Sequence, residues 1–206
     1  MIIKCELNIN DEVSKIPKLF LISPIPPSVN HYLADRAIIR NGKPLPIRYK
    51  TQEATKYQQN FKKYVKQQVF EQKWTLVPNK TQHFYVDTVF YFDRKDRDCN
   101  NYFKCLLDTI TETQLIWLDD NVTCERVQRI YYDNKNPRVE ITIYPVEYIG
   151  IFDNQNVYDE FVGRCEQCKR HGKCSVLQSA IEGRVSDDIE NNECKKFRPI
   201  KKEKRV

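Results

Sequence analysis

No stretch of this 206-residue chain stays apolar for the about eighteen residues a membrane span needs. A helical membrane protein is thereby excluded. No basic start leads into an apolar stretch and a small-residue cleavage site, so secretion is not expected. Internal repeats and long low-complexity tracts are also missing. Net charge is absent from most of the chain: the total is +6, but Lys195, Lys196, Arg198, Lys201, Lys202, Lys204 and Arg205 face Glu203 alone, and the remainder sums to zero. A balanced body therefore carries a basic tail. Such tails contact nucleic acid by counterion release, or merely solubilise.

What is present suits a globular chain, at 40% hydrophobic and 12% aromatic residues, long enough for one well-buried core with a small appendage. A cytoplasmic location is expected, where the eight cysteines stay mostly reduced. Leu19-Phe20-Leu21-Ile22 reads as a short buried strand, stopped by Pro24, Pro26 and Pro27, and residues 28–49 as a long loop with Asn41-Gly42 as a turn signal. From Thr51 to Lys73 the apolar positions Ala54, Tyr57, Phe61, Tyr64, Val65 and Val69 keep helical spacing. His83 to Phe92 alternates with Phe84, Val86, Thr88, Phe90 and Phe92 on one side, a strand. Glu125–Tyr132 and Arg138–Tyr144 are two further strands, with Asp133–Pro137 as the turn of an expected antiparallel hairpin. The fold class expected is α/β (α+β): a mixed β-sheet with two main helices over residues 1–147, followed by a smaller cysteine-rich unit over 148–206.

The chain is organised around Arg97 to Val122. After the strand, a 3.6-residue period places Asn101, Lys104, Asp108 and Thr111 on one helix face and Phe103, Leu106, Leu107 and Ile110 on the other. Asp98 precedes this helix and Asp119-Asp120 follow it. Carboxylates and carboxamides around a lysine suit a hard, oxygen-seeking cation such as Mg²⁺. The plainer reading is a solvated helix face.

The pattern Asp98-x-Asn100-Asn101-x-x-Lys104-x-x-x-Asp108, then Trp117-Leu118-Asp119-Asp120, resembles the signature of the RusA family of Holliday-junction resolvases. Ile25-Pro26-Pro27-Ser28-Val29-Asn30-His31-Tyr32 is similar to that family's Pro-Pro-Ser-x-Asn-x-x-Tyr segment. The likeness covers about residues 18–145. It implies a Mg²⁺-dependent (or Mn²⁺-dependent) endonuclease acting on branched DNA, a four-way junction, as a homodimer. By the same resemblance Asp98, Asn100 and Asp120 are the expected Mg²⁺ ligands, with Asp119 beside them. Lys104 would orient the attacking water or hold the scissile phosphate, and Asp108 is free to pair with Lys104. Asn30, Tyr32 and Asn101 are the expected substrate-side residues; Asn30 capping a turn, Tyr32 in the core and Asn101 at the helix start are the structural alternatives. One departure stands out, because the family's second aspartate is Asn100 here. An amide oxygen ligates Mg²⁺ without charge, so either Asp96 compensates or binding outlives cleavage.

The last unit carries Cys165-x-x-Cys168, then Cys174 and Cys194. That spacing brings four thiolates onto one Zn²⁺, or onto an iron–sulfur cluster, with His171 as a substitute ligand. Four unrelated thiols are the alternative. Three functional classes follow: a structure-selective nuclease, a junction-binding protein without catalysis, or a regulator acting through its cysteine unit.

Overall fold

The computed structural model describes residues 16–200; Cys5 and the tail residues 201–206 lie outside the described residues. The first strand, β1 (Leu19–Pro24), buries Leu19, Leu21 and Ser23 while Phe20 and Ile22 stand 56% and 54% exposed. It is thus half-buried, not wholly buried as expected, because helices cover only one face of the sheet. A single helical turn, α1 (Val29–Tyr32), leads into β2 (Leu33–Arg40) and β3 (Lys43–Lys50). These two strands pair as an antiparallel ribbon where a long loop was expected. Asn41 and Gly42 close it with φ of 52° and 74°, the two left-handed residues that a tight hairpin turn requires.

Helix α2 (Gln52–Glu71) is capped by Thr51, whose Oγ1 accepts the Ala54 N–H at 3.2 Å. Its inner stripe buries Ala54, Gln58, Phe61 and Val65. Next, β4 (Phe84–Phe92) alternates as the sequence predicts, with Phe84, Val86, Thr88, Phe90 and Phe92 all buried. Helix α3 (Asn100–Thr111) buries Tyr102, Cys105, Leu106, Leu107, Thr109 and Ile110. A short 3₁₀ turn (Asp120–Val122) then opens β5 (Thr123–Tyr132), which is followed by β6 (Arg138–Pro145).

The sheet order is β1-β6-β4-β5. The expected hairpin of the last two strands does not form: β5 runs parallel to β4 on one side, and β6 runs antiparallel to it on the other. The Asp133 N–H donates to the Phe92 carbonyl at 2.7 Å, so the linker passes over the end of β4. Since β4 is apolar on its covered face, pairing on both sides places its five buried residues at the centre of the core. Trp117 is fully buried there, and its Nε1–H donates to Thr111 Oγ1 at 2.7 Å.

Helices α4 (Gln155–Glu166) and α5 (Val176–Ile181), with the small strands β7 (Ile189–Glu190) and β8 (Glu193–Cys194), form a separate apolar cluster. Its buried members are Phe152, Phe161, Val176 and Ala180. Val185, in the loop after α5, is 94% exposed. Gly150 is required at the seam: its φ is +56°, and a Cβ would come within 1.9 Å of the Ala180 carbonyl oxygen. Tyr148 ties this unit to the sheet, its hydroxyl lying 3.0 Å from His83 Nδ1 and 3.3 Å from Cys124 Sγ.

Candidate active site

Chain direction decides where the polar residues of α3 stand. The turn after β4 is braced by Arg97, which donates to Asp93 at 3.1 Å and to the Tyr102 hydroxyl at 3.2 Å. Asp98 follows, and its Oδ1 accepts the Asn100 N–H at 3.0 Å, leading the chain into the helix. Asn100, Lys104 and Asp108 are four residues apart in turn, so they share one stripe along α3. Asp96, the candidate for compensating Asn100, pairs instead with Arg94 at 2.8 Å in an exposed position.

At the far end of the stripe Lys104 Nζ donates to Asp108 Oδ1 at 2.8 Å. The other carboxylate oxygen of Asp108 accepts the Tyr32 hydroxyl at 2.8 Å. Tyr32 is itself buried, and Gln58 Nε2 donates to its oxygen at 3.3 Å. Lys50 Nζ then links Gln58 at 2.9 Å to Glu112 at 2.5 Å, and Lys62 holds the second Glu112 oxygen at 2.7 Å. Four segments thus converge behind Lys104. Burial opposes ionisation of Glu112, yet its two lysines win and hold its carboxyl below the usual range.

The 3₁₀ turn brings Asp120 up to this network, with Asp119 exposed just before it. Asp119 Oδ1 accepts the Asn121 N–H at 3.0 Å, which shapes the turn. Burial raises the Asp120 carboxyl above its ordinary pKa; the Asp108 charge adds to this, and the Lys104 ammonium offsets part of it. Lys104 is held protonated by its hydrogen bond to Asp108, then by the charges of Asp108 and Asp120. Burial and the bond to Asp108 likewise raise the Tyr32 hydroxyl.

The structure therefore brings together Lys104, Asp108, Asp120 and Tyr32, while Asp119 stands exposed beside Asp120 in the chain. Asp98 and Asn100 stand at the helix start, at the other end of the stripe from Asp108. Asn30 is exposed on α1, and Asn101 is half-buried beside Asn100. Tyr32 supports Asp108 from inside the protein. Among the described residues no three His, Cys, Asp or Glu side chains are already gathered to hold a metal ion. The donors nonetheless fit a hard divalent cation in kind, since Asp120 feels the like charges of Asp108 and Asp119 and a positive charge there would relieve its cost of ionising.

Gln58 and Glu112 were not singled out from the sequence. The available signal was a glutamine on the apolar stripe of α2, a polar residue where burial demands a partner. Tyr32→Phe removes one partner from each of Asp108 and Gln58. It is expected to cost about 1–3 kcal/mol of unfolding free energy in urea titration; unchanged stability would mean that water replaces the hydroxyl without loss.

No curated protein matches the chain. A family model described as Endodeoxyribonuclease RusA matches residues 24–144, more than half of the chain. That span begins at the end of β1, takes in the Lys104–Asp108–Asp120 constellation and stops within β6. The cysteine-rich unit lies beyond it, and the chain belongs to the RusA endodeoxyribonuclease family.

Proposed function

We propose that this protein is a divalent-metal-dependent endonuclease that resolves four-way DNA junctions. The observation that carries the reading is Lys104, an ammonium fixed between Asp108 and Asp120 inside the family-matched span. Cleavage of a phosphodiester requires relief of charge on the phosphoryl oxygens and on the leaving oxygen. Lys104 supplies a fixed positive charge for the scissile phosphate. Asp108 aims that charge along the stripe, and Tyr32 keeps Asp108 from swinging away. Asp98, the Asn100 amide oxygen and Asp120 are the proposed ligands of Mg²⁺ (or Mn²⁺), which when bound acidifies water and neutralises phosphoryl charge. Asp119 fixes the turn that presents Asp120, and Asn30 and Asn101 are proposed to face the DNA.

A homodimer in the cytoplasm completes the proposal, because paired cuts across a two-fold junction call for paired sites. The sheet face turned away from α2 and α3 supports it: Phe20 and Ile22 are exposed there, and Tyr91 stacks on Tyr131 at 5.0 Å. Sedimentation equilibrium checks the mass, and a monomer at micromolar concentration would remove this part.

The direct test is a synthetic four-way junction incubated with purified protein and Mg²⁺ or Mn²⁺. Paired symmetric nicks support the proposal; tight binding without nicks in either metal would leave a junction-binding protein. That second reading is favoured by Asn100, the one uncharged oxygen in the proposed ligand set. Asn100→Asp is expected to raise the cleavage rate or lower the Mg²⁺ concentration needed for half-maximal rate. A weaker enzyme would show that the site has adapted around the amide.

A further inference from the structure

We propose that Cys165, Cys168, Cys174 and Cys194 form a structural four-thiolate Zn²⁺ site that the family-matched span does not contain. The inference does not depend on the nuclease reading, because it concerns other residues and another chemistry. Topology brings the four together. Cys165 sits on the last turn of α4, Cys168 just past its end, Cys174 just before α5, and Cys194 at the end of β8. All four thiols are free, and all four line a single depression.

The backbone around them is arranged for sulfur. The Cys168 N–H donates to the Cys165 carbonyl at 3.0 Å, so the first pair opens a tight turn; the Phe197 N–H donates to the Cys194 carbonyl at 3.1 Å and repeats that turn on the opposite side. Cys168 Sγ accepts the Arg198 N–H at 3.3 Å. Lys169 N–H to Arg198 O at 2.8 Å and Ile200 N–H to Gln167 O at 3.0 Å clamp that segment in place. A fixed amide N–H aimed at a sulfur suits a thiolate, the form that ligates metal.

Charge and packing agree. Four thiolates on one Zn²⁺ leave two negative charges, and the depression carries Arg170 together with Arg164, which pairs with Glu193 at 2.7 Å, and Lys196, which pairs with Asp188 at 2.5 Å. Among the described residues the apolar cluster of the unit has four buried members, Phe152, Phe161, Val176 and Ala180. Units of this size rarely hold together on so small a core and are usually stapled by disulfides or a metal. With every thiol free, the metal is the staple left. The sulfurs surround the depression without being drawn to ligand distance among the described residues, and the ion would draw them in. Four sulfur donors select Zn²⁺ over the oxygen-seeking cation proposed at α3.

The test uses the full chain. One zinc per chain is expected by elemental analysis, with loss of at least nine-tenths of it in Cys168→Ser and in Cys194→Ser. Cys124→Ser, outside the unit, is expected to keep it. Because a ligand variant can lose metal merely by unfolding, Co²⁺ replaces Zn²⁺ in the wild type, where thiolate charge-transfer and tetrahedral d–d bands are expected. Limited proteolysis of the variants is expected to cut after residue 148 while residues 24–144 stay protected. The proposal is overturned by any of four results: no zinc on isolation or after addition, wild-type zinc in Cys168→Ser, two disulfides by mass, or the visible spectrum of an iron–sulfur cluster.

Discussion

Asp120→Asn is expected to lower single-turnover cleavage of a four-way junction by on the order of 10³-fold, with junction affinity nearly unchanged. The residue is half-buried beside Asp108 and Lys104, where its charge is costly to the fold and useful to a cation. Its raised pKa sets the sign of the accompanying stability change. A carboxyl whose folded pKa lies above its unfolded value stabilises the fold below the unfolded pKa and loses that contribution as pH rises through the folded one. At neutral pH without metal, the amide variant is therefore expected to melt at a higher temperature than wild type. Loss of activity with a gain in stability separates a working carboxylate from a structural one. If Asp120→Asn unfolds by circular dichroism, the carboxylate serves the fold instead. Asp98→Asn is expected to match the activity loss, and this is the sharper comparison because Asp98 stands at the other end of α3. Retained cleavage in Asp98→Asn would confine the ion to the Asp108–Asp120 end.

Lys104→Ala is expected to cut cleavage by about 10²–10³-fold and to weaken junction binding as well. The Lys104 side chain is 57% exposed while its ammonium donates to Asp108, so it is both accessible and aimed. Its loss leaves Asp108 and Asp120 facing each other without a cation. Stability should then fall at neutral pH and recover on acidification, as the repulsion is removed by protonation. Binding measured against salt is expected to show a shallower slope, because one phosphate contact has gone. Lys104→Ala with wild-type affinity and a lowered rate alone would place the lysine on the water rather than the phosphate.

Local pattern carried most of the candidate site. The alternation of β4 and the two faces of α3 were legible because each has one side in the core, and burial writes its period into the sequence. The ribbon of β2 and β3 was not legible, since it is exposed along most of both faces and only Asn41-Gly42 marked it. The order of the sheet was hidden for another reason. Nothing local distinguishes a strand that pairs with its chain neighbour from one that steps over β4. The support of Asp108 by Tyr32 was out of reach in the same way, since that hydrogen bond spans 76 residues. The Lys104–Asp108 pair, one helical turn apart, was foreseen as an alternative and is present.

The placement of β6 between β1 and β4 also dictates an order of events at synthesis. Leu19 pairs with Ile143, and Pro24 with Arg138, so β1, made before the other strands of this sheet, waits for β6 before it has a strand partner. Until Arg138–Pro145 emerges, β4 likewise has one bare edge, and its unpaired N–H and C=O groups are open to other chains. Closing such distant pairs is entropically slow, and slow closure leaves the nascent chain aggregation-prone. Chains truncated before residue 138 should accumulate as insoluble material, whereas chains ending just after Pro145 hold every strand of the sheet.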